Sequence, residues 1–178
     1  MQTTGTVRCV AVELRPLSPA DAVAHCEGED ALTVRWLTGA PGTLEETEAH
    51  SRRLADNAAA RRGKRGFGVW LDGRLAGYVD CDPGVRDHLR PGDVNLSYAV
   101  HPWARGRGVA GAAVRLICAY VRDHRIGARA AIRVAAANTA SVRVAEKCGF
   151  EYAGEFTSTT DVGPDDSPVR MGLYLLDL

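Results

Sequence analysis

The sequence predicts a mixed α/β (α+β) fold, one sheet of about seven strands flanked by four helices. Three observations lead there. Val94, Leu96, Tyr98 and Val100 alternate with Asn95, Ser97 and Ala99, the period-two pattern of a strand with one buried face. Asp72-Gly73 between two apolar runs is the strongest short hairpin signal. Val109, Ala113, Leu116, Ile117 and Tyr120 then recur at helical spacing and should face a core. The 178 residues suffice for one packed core and are few for two, so 1–178 is read as a single domain without repeat or linker.

In chain order, Val7 to Leu14 is strand-like and Pro16 should end it by removing a donor. Ser18-Pro19-Ala20-Asp21 opens a helix, with serine as cap and proline at the first helical position. Thr43-Leu44-Glu45-Glu46 is a capping box starting a long helix to about Arg61, stopped by Gly63. Phe67–Leu71 and Arg74–Cys81 form the hairpin, and the 94–100 strand completes a meander. After the helix from Val109 come a strand at Ala130–Ala135, a helix at Thr139–Cys148, and strands near Tyr152–Ser158 and Val169–Leu176. Asp161 to Pro168 reads as an acidic loop between the last two. These elements leave the sheet order open.

Charge balances to zero, so no attraction to nucleic acid or membrane is implied. The five cysteines, Cys9, Cys26, Cys81, Cys118 and Cys148, show no paired or metal-ligand spacing. They read as small hydrophobes in a reducing compartment, and no metal is expected. No signal-like or membrane-length apolar run is seen, so the expectation is a soluble, cytoplasmic protein.

The chemistry concentrates where the central strand ends. Val100-His101-Pro102 stops a strand, Gly106, Gly108 and Gly111 follow, and a helix begins. Glycines let main-chain N–H groups approach a bulky anion without a Cβ in the way. The helix start adds unpaired N–H groups and the positive end of its dipole, together a cradle for pyrophosphate. Gly106-x-Gly108-x-x-Gly111 matches the dinucleotide fingerprint in spacing. However, it lies past mid-chain, with Ala128-Arg129-Ala130-Ala131 where the acidic partner belongs, and it lacks the Gly-Lys-Ser/Thr ending of a nucleotide-hydrolase loop.

A second motif lies downstream. Arg105-x-x-Gly108-x-Ala110, followed by Asn138-x-x-Ser141 and then Gly149-Phe150, resembles the GNAT family of acyl-CoA-dependent N-acetyltransferases. Leu14-Arg15-Pro16-Leu17, Arg35-Trp36-Leu37 and Asn138-x-x-Ser141 are similar to its RimJ/RimL-type branch. The resemblance spans nearly the whole chain and implies a GNAT-like fold with acetyl-CoA as co-substrate. It places the pantetheine arm against main-chain groups of Ala99 and Val100, beside His101. The pyrophosphate falls on N–H groups of Arg105, Gly106, Arg107, Gly108, Val109, Ala110 and Gly111. Asn138 matches the position that hydrogen-bonds the cofactor's amide arm, or it simply caps a helix. Arg143 and Lys147, four apart, reach the nucleotide's phosphates or form a solvated face.

Acyl transfer to nitrogen needs a neutral amine, an oxyanion donor and a proton for the thiolate. Orientation alone is worth roughly 7–11 kcal/mol. The family's base position is Asn95 here, and an amide takes no proton at neutral pH. A water chain, Asp93, Asp80 or His101 would have to serve. The usual tyrosine acid is replaced by Ala145, and the resemblance makes Ser141 the thiolate partner; a serine bonded to its own helix backbone is the alternative. Cys118 and Cys148 are taken as packing residues.

Arg35, Trp36, Asp80, Asp82, His88, Asp93 and Glu155 are candidates for the acceptor groove. The resemblance favours a protein N-terminal α-amine, with a small-molecule amine such as an aminoglycoside in competition. Two other classes remain: a catalytically degenerate acyl-CoA-binding module, and a nucleotide-binding protein unrelated to coenzyme A. Related proteins are monomers or homodimers.

Overall fold

The structure, a computed structural model, describes residues 11–163 and 167–178. Seven strands form one sheet: β1 (Val12–Pro16), β2 (Arg65–Leu71), β3 (Arg74–Asp82), β4 (Asp93–Val100), β5 (Arg129–Ala135), β6 (Glu151–Val162) and β7 (Pro168–Asp177). Their spatial order is β1-β2-β3-β4-β5-β7-β6. All neighbours are antiparallel except β4 and β5, which run parallel. The β2–β3 hairpin turns on Asp72 and Gly73 at φ 51° and 79°, the left-handed pair a tight hairpin turn requires.

Among the described residues there are five helices, not four: α1 (Ala22–Glu27), α2 (Ala31–Thr33), α3 (Leu44–Ala59), α4 (Val109–Asp123) and α5 (Thr139–Lys147). The unforeseen α2 starts on Asp30, whose side chain accepts Thr33 N–H, and runs into a π turn at Val34–Thr38. Both sequence-predicted caps form. Ser18 and Asp21 close a capping box over a 3-10 turn leading to α1, and Thr43 and Glu46 close one over α3.

Three details depart from the sequence reading. β1 runs past Leu14 and ends at Pro16, which pairs with Phe67; β1 is an edge strand, where a missing N–H is tolerated. The residues 7–10 of the expected strand lie outside the described residues. Helix α4 buries Val109, Ala113 and Ile117 as expected, and Val114, Cys118 and Val121 besides, whereas Leu116 is exposed. Finally β6 extends through Asp161 and Val162, so the expected acidic loop is shorter at its start; residues 164–166 of it lie outside the described residues.

The sheet divides the interior in two. On one face α4 packs Val109, Val114, Ile117 and Val121 against Val79, Val94, Leu96 and Ile132. Each such side chain contributes roughly 1.5–3 kcal/mol by burial. On the other face α1 and α3 cover a smaller cluster of Leu17, Leu54, Leu75 and Tyr78, and beside it the sheet is left partly uncovered. The site lies there.

Candidate active site

Strands β4 and β5 pair only over Asp93–Asn95 and Arg129–Ala131. Beyond Asn95 they separate, while β4 continues along β3 up to Val100. The opening exposes main chain. His101 N–H donates to Ala76 O at 2.8 Å, so by alternation the amides of Ala99, Ser97 and Asn95 also point to β3, and those of Tyr98 and Val100 point into the gap. This corrects the expectation for Ala99, whose carbonyl packs so closely on Gly77 that a Cβ there would lie 2.2 Å away. Val100 remains, its carbonyl taken by Arg105 Nε at 2.9 Å.

The glycine turn follows at once. Gly106 and Gly108 sit at φ 73° and 79°, the left-handed region that costs other residues about 1–2 kcal/mol. A Cβ on either would meet nothing within 4 Å, so backbone conformation requires these glycines and the space before them is open. Gly108 caps α4 with no side-chain bond, and the first helical bond is Ala112 N–H to Gly108 O. The N–H groups of Val109, Ala110 and Gly111 therefore precede the helix ladder and fit an anion. Gly111 needs no special conformation, and a Cβ there would make ordinary contacts.

Arg105 directs its main-chain N–H, expected in the cradle, to Pro102 O at 3.3 Å. Its guanidinium grips Asp30 with both NH groups, at 2.6 and 2.8 Å, while its Nε holds the Val100 carbonyl. It clasps the turn to α2. Hydrogen bonding from Arg105 holds the Asp30 carboxyl well below the usual range. Arg107 is exposed, resting near Asp72 and over Trp103. Cys148 Sγ lies 3.5 Å from Gly111 O, bringing the end of α5 to the start of α4. Arg143 and Lys147 project from α5 exposed and without an ion-pair partner among the described residues.

Asn138 is a helix cap: its Oδ1 accepts Ser141 N–H at 3.3 Å, and its Nδ2 has no hydrogen bond among the described residues. Ser141 does not bond its own helix through Oγ. It meets the Tyr98 hydroxyl at 2.7 Å, and burial pushes that phenol up to about 12. Tyr98 is a residue the sequence reading placed only as buried strand; its alternation with Ser97 pointed it toward the α4–α5 face, and its partner was not visible.

On the α1–α3 face lies a cavity of about 450 Å³, within the range of small-ligand sites. Asn95, Ser97 and Ala99 of β4 and His101 just beyond it form its floor, with Tyr78 and Asp80 of β3. Of the expected acceptor residues only Asp80 lines it. Trp36 stacks on Arg35 outside it; Leu37 and Thr38 take its place in the wall. Asp82 bonds Gly84 N–H, His88 stacks on Phe156, and Glu155 pairs with Arg170. Asp93 is at the paired end of β4, held by Arg129 at 2.8 and 3.0 Å. Burial would raise its carboxyl, but the bonds from Arg129 and Arg90 N–H outweigh it and keep it low, so Asp93 is no base. Asn95 is engaged on both sides, receiving Arg133 Nε and donating to Ser97 Oγ.

His101 turns away from the glycine turn and packs its ring under Gly28, where a Cβ would fall 2.1 Å from it. Burial lowers it to about 4, a neutral ring at pH 7. His25 and His50 are lowered for the same reason. Asp80 shifts the other way: 2% exposed, it is raised by burial to about 6 against the opposing pull of Lys64 and the Tyr78 hydroxyl. The Cys81 and Cys118 thiols are pushed up by burial to about 12, which makes them inert packing groups. Cys9 lies outside the described residues.

A sheet opened between two parallel strands, with an anion-ready helix start on one side and a polar cavity on the other, defines a group-transfer enzyme built around an extended donor. The chain belongs to the GNAT acetyltransferase family: the model of the acetyltransferase (GNAT) domain matches residues 11–151. No curated protein matches it in sequence. Solved structures share its fold. The Salmonella typhimurium acetyltransferase that modifies the N-terminal serine of ribosomal protein L7/L12 superposes with TM-score 0.79 at 16% identity, covering 97% of each chain. Mycobacterium smegmatis RimJ, in complex with a CoA-disulfide, gives 0.77 at 21% identity over 93% of this chain and 81% of its own. An aminoglycoside acetyltransferase in complex with coenzyme A gives 0.71 at 20%, over 92% and 94%.

Proposed function

We propose that this acetyltransferase moves an acetyl group from acetyl-CoA directly to a primary amine, and that the amine is a protein N-terminal α-amine. The observation that carries the reading is the β4–β5 opening, with the Tyr98 and Val100 amides on one side and the 450 Å³ cavity on the other. The diphosphate fits the open turn at Gly106–Gly111, with Arg107, Arg143 and Lys147 within the same neighbourhood. Asn138 Nδ2 is available to the amide arm, and Val100 N–H to the thioester oxygen. A well-aimed amide of this kind is worth about 3 kcal/mol. Tyr98 and Ser141 form one hydroxyl pair beside the opening, suited to orienting and supplying a proton to sulfur.

Two considerations support the α-amine. Both RimJ and the L7/L12-modifying enzyme share the fold, the latter acting on an N-terminal serine. Independently, Asn95 supplies no base, and an α-amine with pKa near 8 is roughly a tenth neutral at pH 7, whereas a lysine amine is roughly 0.04% neutral.

The test is incubation with acetyl-CoA and a panel of peptides with free or blocked N-termini, alongside aminoglycosides, following thiol release and product mass. Acetylation of free α-amines only is the expected result. Turnover confined to the antibiotics makes the acceptor a small molecule. Binding of the thioester with no thiol released from any amine would make the chain an acyl-CoA-binding module. Binding of adenosine diphosphate without preference for the pantetheine arm would make it a nucleotide-binding protein.

A further inference from the structure

Resting on that reading, we infer that Asp80 receives the incoming ammonium group in the cavity and takes its proton. Asp80 lies directly opposite Ser97 in the β3–β4 register and diagonal to Asn95 and Ala99. Same-face neighbours across a sheet stand about 5 Å apart, and diagonal ones about 7–8 Å. Its side chain therefore stands over the stretch of β4 that leaves β5, and an amine between them spans the distance.

The oxygen atoms divide the work. Oδ2 accepts from Lys64 Nζ at 3.3 Å, whereas Oδ1 is buried without a hydrogen-bond partner among the described residues. A buried carboxylate oxygen left unpaired is costly, and an ammonium donor satisfies it. The other carboxylates of the cavity wall are engaged: Glu29 accepts Gly42 N–H, Glu46 caps α3, and Asp161 binds Arg133 and Ser158. Burial lowers all three histidines, His101 to about 4, and both ring nitrogens of His50 are engaged, by Tyr78 and Arg53. Asp80, raised by burial to about 6, is mostly ionised at neutral pH yet nearer to an α-amine in proton affinity than an ordinary carboxylate. The titratable groups around it are Lys64 before β2, Tyr78 and Asp82 on its own strand, His50 of α3 and His25 of α1.

The step balances. Asp80 takes one of the three ammonium protons. The freed nitrogen lone pair forms the C–N bond at the acetyl carbonyl, the C–S bond breaks, and its electron pair leaves on sulfur. The amine's second proton ends on the thiolate, by way of the Tyr98–Ser141 pair or solvent, and the third remains on the amide.

The experiment compares wild type, Asp80→Asn and Lys64→Met on an accepted peptide across pH 5–9, with carbon-detected titration of the Asp80 carboxyl. In wild type, turnover should rise through pH 6, together with the carboxyl signal. In Asp80→Asn, turnover at pH 7 should fall about a hundredfold, the low end for a positioned base, with KM for acetyl-CoA unchanged. It should then recover about tenfold per pH unit as the amine ionises unaided. Lys64 is partly exposed, so Lys64→Met should fold even where Asp80→Asn does not. Removing that cation should move both the pH limb and the carboxyl signal upward. An Asp80→Asn profile parallel to wild type, or a Lys64→Met limb that stays in place, overturns the role of Asp80 while leaving acetyl transfer intact. A wild type inert toward every amine sinks the acetyl-transfer reading itself, and the role of Asp80 with it.

Discussion

Replacing Arg105 separates a structural clasp from a phosphate ligand. The guanidinium makes two bonds to Asp30 and one to the Val100 carbonyl, while Asp30 also caps α2 through Thr33 N–H. Hydrogen bonds to charged groups are worth about 1.5–3 kcal/mol each when well shielded. Here both side chains are about a third exposed, so the pair is placed at about 2 kcal/mol in all. Arg105→Ala and Asp30→Ala should each lose about that much, lowering the melting temperature by about 4–8 °C for a chain of this size. Because each removes the same interaction, the double variant should resemble the singles, with a coupling of about 1.5–2 kcal/mol in a double-mutant cycle. Thermal melting measures the stability, and calorimetry with coenzyme A measures affinity, which should weaken equally in both variants through the loosened end of β4. Unchanged melting with affinity lost in Arg105→Ala alone would refute the clasp and return Arg105 to the phosphate.

Three further outcomes follow from the geometry. Gly108→Ala forces a Cβ into φ 79° and should cost about 1–2 kcal/mol, seen as a lower melting point, with coenzyme A affinity reduced as the helix start tilts. Tyr98→Phe and Ser141→Ala should each slow turnover several-fold to a hundredfold and combine less than multiplicatively; full turnover in Ser141→Ala at saturating thioester removes the hydroxyl pair from the mechanism. Asp87 is buried, and the bonds from Ser158, Thr159 and Arg133 overcome desolvation to hold it at about 2 in the folded chain. Its folded value lies below the unfolded one, so its stabilisation is present above pH 4 and disappears as pH falls toward 2. That contribution is about 2 kcal/mol, and Asp87→Asn should melt lower at pH 7 and flatten the acid limb of stability between pH 4 and 2.

Local patterns carried most of the fold. Period-two alternation, the Asp72-Gly73 turn and the two capping boxes are short-range effects, written in neighbouring residues, and all of them form. Errors arose where a partner lies far away in the chain. β1 runs on to Pro16 because no strand lies beyond it, and α4 leaves Leu116 outside and buries Val114, Cys118 and Val121 because of what the sheet presents. The glycine turn was likewise legible, although it is the left-handed backbone of Gly106 and Gly108, and not the approach of an anion, that requires glycine there.

The site itself divides the same way. Its motif residues announce an anion turn and a helix cap because those chemistries use consecutive positions. What a side chain does there is decided by contacts that sequence spacing does not encode. Arg105 finds Asp30, Ser141 finds Tyr98, Asp93 finds Arg129, and Asp80 is left with one oxygen unmatched in a cavity. Above all, the separation of β4 from β5 after Asn95 is a property of two strands packed between other elements. Backbone pairing is a pairwise event across distant chain segments, and only the folded sheet shows where it stops.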